Sequence, residues 1–157
     1  MTLEMLTDRL MNGSPEERAA AAESLARMGE SAAPAAETLA LCASDADAGA
    51  WCVAALEKLG PPRDEALGPL TDRLSSADAD CAYWCATLLG RAGERASASV
   101  SKLVETAQSR APLAVRERAC WALGRIGAAS SRPALEQLSH SEQPRLARLA
   151  GEALAGF

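Results

Sequence analysis

The chain has 157 residues, 48 % of them hydrophobic but only 3 % aromatic, and a formal net charge of −5. That length suits one domain with an adequate core, and abundant Ala and Leu with few rings favour close helix-on-helix packing over a sheet. An acidic balance without clustered Lys and Arg argues against non-specific binding to a phosphate backbone.

Apolar periodicity predicts helices in pairs, each pair reading as a first helix, a short polar turn, a second helix and then a glycine. In chain order the pairs are 3–11 with 15–28, 35–42 with 45–59, 65–74 with 79–92, 99–107 with 112–126, and 133–138 with 144–155. Ser14-Pro15 followed by Glu16-Glu17, and Ser141-Glu142 ahead of Pro144, combine an N-cap hydroxyl or acid with proline in the first turn. Gly29, Gly60, Gly93 and Gly127 stand just past the second helices, where a left-handed cap is expected. Pro34, Pro61-Pro62 and Pro133 mark the corners where one pair stops and the next starts.

The second helices are copies of one another. Anchored on Leu25, Leu56, Leu89, Leu123 and Leu154, they recur at steps of 31, 33, 34 and 31 residues, the period of a helical solenoid. The fold class expected is an all-α right-handed α-solenoid, a single domain over 1–157 made of repeats at 1–30, 31–61, 62–94, 95–127 and 128–157. Residues at one offset from the leucine share an azimuth. Four before it come Ala21, Cys52, Cys85, Ala119 and Ala150; just before it, Ser24, Ala55, Leu88, Ala122 and Ala153; three after it, Met28, Leu59, Ala92, Ile126 and Phe157. This stripe is the expected core, and one unit could not bury it alone.

The run Val115-Arg116 through Ala122-Leu123-Gly124 to Ile126-Gly127 resembles the second helix of HEAT repeats, of the short kind also found in phycobilisome-lyase-like proteins. The resemblance covers almost the whole chain. Arg18 keeps the arginine of the pattern; Gly49, Ala82 and Ala147 replace it and lack the side chain for the interrepeat contact that the resemblance implies. It implies the fold and leaves the activity open, because similar repeats serve in scaffolds, bilin lyases, DNA glycosylases and a hydroxylase.

The second helices are expected to line the concave side. Nine before the leucine stand Glu16, Asp47, Asp80, Ala114 and Arg145; two after it stand Arg27, Lys58, Arg91, Arg125 and Gly156. These acidic and basic rows complement helix dipoles on one reading and form a bipolar groove for an extended partner on the other. Trp51 and Trp84 share an offset, with Tyr83 one residue earlier, while Trp121 falls on a face that reads as solvent-facing. Trp51 and Trp84 read either as packing between neighbouring helices or as part of a binding row. Trp121 reads as a binding anchor whose truncation weakens partner affinity and leaves stability nearly unchanged.

Cys42, Cys52, Cys81, Cys85 and Cys120 occupy helical offsets that are alanine or valine elsewhere, so they read as small reduced hydrophobes rather than metal ligands. The single His140 cannot supply the paired His-Glu motifs of a di-iron hydroxylase, and no nucleophile, base and acid set can be assembled. The reading is therefore a cytoplasmic, non-catalytic protein-interaction or scaffold module with no cofactor and no metal. Its partner-binding residues are Trp51, Tyr83, Trp84, Trp121, Asp80, Glu117, Arg91 and Arg125. Its partner is a protein or peptide, with no membrane and no non-specific nucleic acid. Alternatives are a bilin-lyase-like subunit, a HEAT-like DNA-repair glycosylase, and a structural subunit that stacks end to end, since Phe157 ends the last copy without a polar cap.

Overall fold

A computed structural model describes residues 1–157. It contains ten α-helices, four short 3-10 segments and no strand, an all-α solenoid fold of paired helices. The chain divides into two compact units, Met1–Ala66 and Leu67–Phe157.

The first unit holds α1 (Leu3–Asn12), α2 (Pro15–Met28), a 3-10 segment (Gly29–Ala35), α3 (Ala36–Leu41) and α4 (Gly49–Lys58). Local chemistry starts the first two helices. Thr2 Oγ1 accepts from the Met5 amide, and Ser14 and Glu17 form a reciprocal capping box ahead of Pro15. The α2 helix packs on both α1 and α4 and buries Leu25 completely, beside Leu10, Leu39, Leu56 and Leu59. Losing one such leucine to alanine costs about 2–5 kcal/mol in a well-packed core. The α4 helix is shorter than its apolar pattern suggests. Asp45 bends the chain first, its Oδ1 accepting from the amides of Asp47 and Ala48 at 2.9 Å each, so the helix begins at Gly49 rather than at 45.

The second unit holds most of α5 (Asp64–Asp72), then α6 (Ala79–Ala92), α7 (Val100–Gln108), α8 (Leu113–Ile126), α9 (Arg132–Leu138) and α10 (Pro144–Ala155). Asp78 caps α6 by accepting from the Asp80 and Cys81 amides. The α8 helix is central, touching α6, α7 and α10. Leu70, Leu88, Leu89, Leu103, Leu123, Leu135 and Leu146 are fully buried in this unit. Gly90 and Gly124 each follow the anchor leucine, and both are close approaches. A β-carbon on Gly90 would fall in the Trp121 ring and 3.1 Å from Ala122 Cα; one on Gly124 would lie 2.9 Å from Ala153 Cβ. Glycine there lets consecutive second helices meet backbone to side chain.

Three local expectations change. All four glycines after the second helices have positive φ, but only Gly127 is shown in the left-handed helical region (φ 69°, ψ 22°). Gly29 and Gly93 have ψ of −132° and −137°, a mirror-β conformation open to glycine, which turns the chain directly into a 3-10 segment. Ser141 accepts from the Gln143 amide and shapes the turn, and α10 starts without a side-chain cap. The expected core stripe is not buried throughout: in the first and last hairpins Ser24 and Phe157 are exposed, and Met28 and Ala153 half-buried.

Candidate binding face on the second helices

In the second unit α6 and α8 lie side by side, and their outward faces carry the aromatic residues. Tyr83 and Trp84 meet edge to face, with ring centroids 5.6 Å apart and planes at 85°. Trp121 rests over Gly90 of α6. Between the two helices the Arg118 Cζ lies 4.7 Å from the Tyr83 ring centroid and 4.8 Å from the Trp121 ring centroid, within cation–π range of both, and its Nη2 donates to Tyr83 Oη. Arg91 lies 5.8 Å from the Trp84 centroid.

Beside this stack is a hollow of about 280 Å³ lined by Tyr83, Ala114, Glu117, Arg118, Trp121, Arg145 and Leu149. Trp121 and Leu149 are shared with a second hollow of about 200 Å³, which adds Gly124, Arg125, Glu152, Ala153 and Gly156. Glu117, only 13 % exposed, holds Arg145 at 3.2 Å and so ties α8 to α10. This unit is positive relative to the rest of the chain. Residues 67–157 carry eleven Lys and Arg against nine Asp and Glu, net +2, whereas residues 1–66 carry five against twelve, net −7.

Of the residues singled out by sequence, Tyr83, Trp84, Trp121 and Arg91 gather at this stack, and Glu117 and Arg125 line the hollows. Asp80 is exposed in the first turn of α6 and lines neither hollow; Trp51 belongs to the other unit. The expected order of exposure is reversed. Trp121 is half-buried, because Gly90 gives its ring a seat on the neighbouring helix, while Trp51 is 41 % exposed.

Sequence reasoning missed Arg118. Its offset, five before the anchor leucine, is that of Trp51 and Trp84, and completing that row gives Ala20, Trp51, Trp84, Arg118 and Leu149. The shared offset was the available signal; the change of residue type from ring to guanidinium hid it.

A third hollow, of about 320 Å³, opens at the turns and is lined by Ala77, Ala82, Pro112 and Val115 among others. Register explains it. In the first hairpin Arg18 fills the corresponding place, donating to the Gly13 carbonyl at 3.1 Å and pairing with Asp45 and Asp47 of the next hairpin at 3.2 and 3.3 Å. Its Nε faces Asp45 as an ion pair without hydrogen-bond alignment. Arg116 instead donates to the Ala107 carbonyl of its own pair. Ala77, Ala82 and Pro112 are the register counterparts of Gly13, Arg18 and Asp45, so side chain and acceptor are both missing and the space stays open.

Cys52, Cys81, Cys85 and Cys120 are buried and Cys42 half-buried, and no group of three or more His, Cys, Asp or Glu is placed to hold a metal ion. Burial pushes the Cys52 thiol up to about 12 and the Cys120 thiol up to about 11. Cys81 is lowered to about 7, first by its hydrogen bond with Cys85 and further by Ser76, against desolvation. No helix is long and apolar enough to cross a membrane.

The family model for HEAT repeats matches residues 67–155. No curated protein matches the chain in sequence. Among solved structures, an engineered protein superposes with a TM-score of 0.65 at 22 % identity, covering 99 % of this chain and 79 % of that one. A chain from the complex of CpcE and CpcF of phycocyanin lyase from Nostoc sp. PCC7120 gives 0.64 at 18 % identity and covers 97 % of each chain. At such identities the likeness concerns the fold.

Proposed function

The chain belongs to the HEAT-repeat family, and on that premise we propose that it is a protein-binding scaffold module without chemistry of its own, engaging its partner on the second-helix face of residues 67–157. The observation that carries this reading is the stack of Arg118 between Tyr83 and Trp121 at the edge of an open hollow. Tyr, Trp and Arg are the side chains over-represented among binding hot spots, because each brings a large contact area with a polar handle. The surrounding ion pairs set orientation and association rate more than affinity.

The test is affinity capture from a lysate of the source cells, scored by mass spectrometry, with the wild-type chain beside an Ala114→Arg/Leu149→Arg variant that fills the hollow with charge. Ala114 is exposed and Leu149 half-buried, so the variant leaves the fully buried leucines untouched. A protein held by the wild type and lost by the folded variant supports the reading; identical sets of captured proteins sink it.

A second reading, a lyase-type subunit handling a bilin, has in its favour the near-complete mutual coverage with the phycocyanin lyase chain. A change in visible absorbance on mixing the chain with a bilin is its expected result. An unchanged spectrum removes it.

A further inference from the structure

Four arginines of the chain are half-buried, Arg18, Arg91, Arg116 and Arg118, and the rest are exposed. Arg18 pairs with two carboxylates, Arg116 donates to a backbone carbonyl, and Arg91 approaches Trp84. Arg118 differs in kind. Its charge is withdrawn from water among two rings, and no carboxylate lies within ion-pair distance, although the chain carries 21 acidic residues. Its neighbour Glu117 is committed to Arg145. A partly desolvated cation without a counter-ion is a net cost to the fold, and the surrounding unit adds to that positive charge instead of cancelling it.

The geometry points to a carboxylate from outside: we infer that the protein partner presents an acidic peptide segment, with one Asp or Glu carboxylate seated on the edge of the Arg118 guanidinium in the hollow beside Trp121. This rests on the protein-binding reading above and names the chemistry of its partner. Tyr83 and Trp121 flank the guanidinium, and Tyr83 Oη takes one N–H, which leaves the other N–H donors in the guanidinium plane. A carboxylate offers two coplanar oxygens to that edge and makes paired, charge-assisted bonds. Arg145 and Glu117 line the same hollow as a paired, mutually compensated couple, and Ala114 and Leu149 supply apolar contact for the residues flanking the acid.

The test uses the full chain and follows the Arg118 Nε–H and Trp121 indole N–H signals by NMR while titrating a blocked hexaglutamate peptide, with hexaglutamine and inorganic phosphate as comparison probes. Saturable shifts of both signals with hexaglutamate alone are expected. Arg118→Gln should weaken that binding roughly ten-fold or more, and Arg118→Lys, which keeps the charge but not the planar fork, should recover only part of it. Equal shifts with hexaglutamine, no shift with hexaglutamate, or unchanged affinity in a folded Arg118→Gln variant overturns the inference. A response to phosphate without one to hexaglutamate overturns it in favour of a phosphate-bearing ligand. Lysate capture separates the two levels: partners lost by the hollow-filling variant but kept by Arg118→Gln leave the binding face standing and remove the acidic segment.

Discussion

The Trp121 ring occupies the space that a β-carbon on Gly90 would need, 38 residues after Tyr83 has placed the other ring of the same stack in helix α6. Gly90→Ala therefore has to move Trp121 or part α6 from α8. Alanine ordinarily gains about 1 kcal/mol over glycine in a helix, and overpacking costs about 1–3 kcal/mol, so the net effect is destabilising. Gly151 in α10 has nothing within 4 Å of its would-be β-carbon, and Gly151→Ala should stabilise by about 0.5–1 kcal/mol. Urea unfolding of both variants checks the opposite signs.

Trp121→Ala removes a half-buried ring from a built seat, so it should cost about 2 kcal/mol of stability as well as partner affinity. That differs from the nearly unchanged stability expected of a solvent-facing tryptophan. Trp51→Ala, at 41 % exposure, should stay within about 0.5 kcal/mol of the wild type. Chemical denaturation of the pair gives the comparison directly, and equal losses would contradict the packing described for Trp121.

Ala82→Arg should put a side chain into the open hollow at the turns and let it donate to the Ala77 carbonyl, as Arg18 donates to Gly13. With Pro112 in place of an acid, only the hydrogen bond and the filled space contribute, and the expected gain is about 0.5–1.5 kcal/mol. A raised melting temperature is the readout. A lowered one would mean that the hollow does not have the shape of the missing arginine.

Stability should fall at both ends of the pH range, for separate reasons. The backbone amide of Ala48, then that of Asp47 and the Arg18 charge, hold the Asp45 carboxyl below its ordinary 3.8. Its contribution is present above that value and lost as pH falls through the lower folded one. The melting-temperature gap between wild type and Asp45→Asn should then be steady at neutral pH and close below about pH 4. Cys52 and Cys120 act at the other end: unfolded thiols ionise near 9.0, while the folded ones resist to about 12 and about 11. Their contribution is complete below pH 9.0 and disappears as pH rises toward those folded values. A Cys52→Ala/Cys120→Ala variant should lose stability less steeply over that alkaline window, measured by thermal melts at stepped pH.

The sequence by itself determined what depends on short range. The leucine period, the Ala and Cys stripe beside it and the Ser14–Glu17 capping box are properties of single helices, where 3.6 residues per turn fixes which side chains share a face. Glycine positions after the second helices were equally legible, since positive φ excludes most other residues, but the ψ values that distinguish Gly29 and Gly93 from Gly127 depend on where the next segment must go. Tertiary structure decided the rest. Whether Trp121 is exposed depends on Gly90 in another helix; whether Arg118 has a counter-ion depends on Tyr83 and Trp121 arriving on either side of it; whether Ala82 leaves a hollow depends on Pro112 of the following hairpin. Each of these is set by the distance and rotation between packed helices, which arise from the sum of many side-chain contacts and leave no period in the chain.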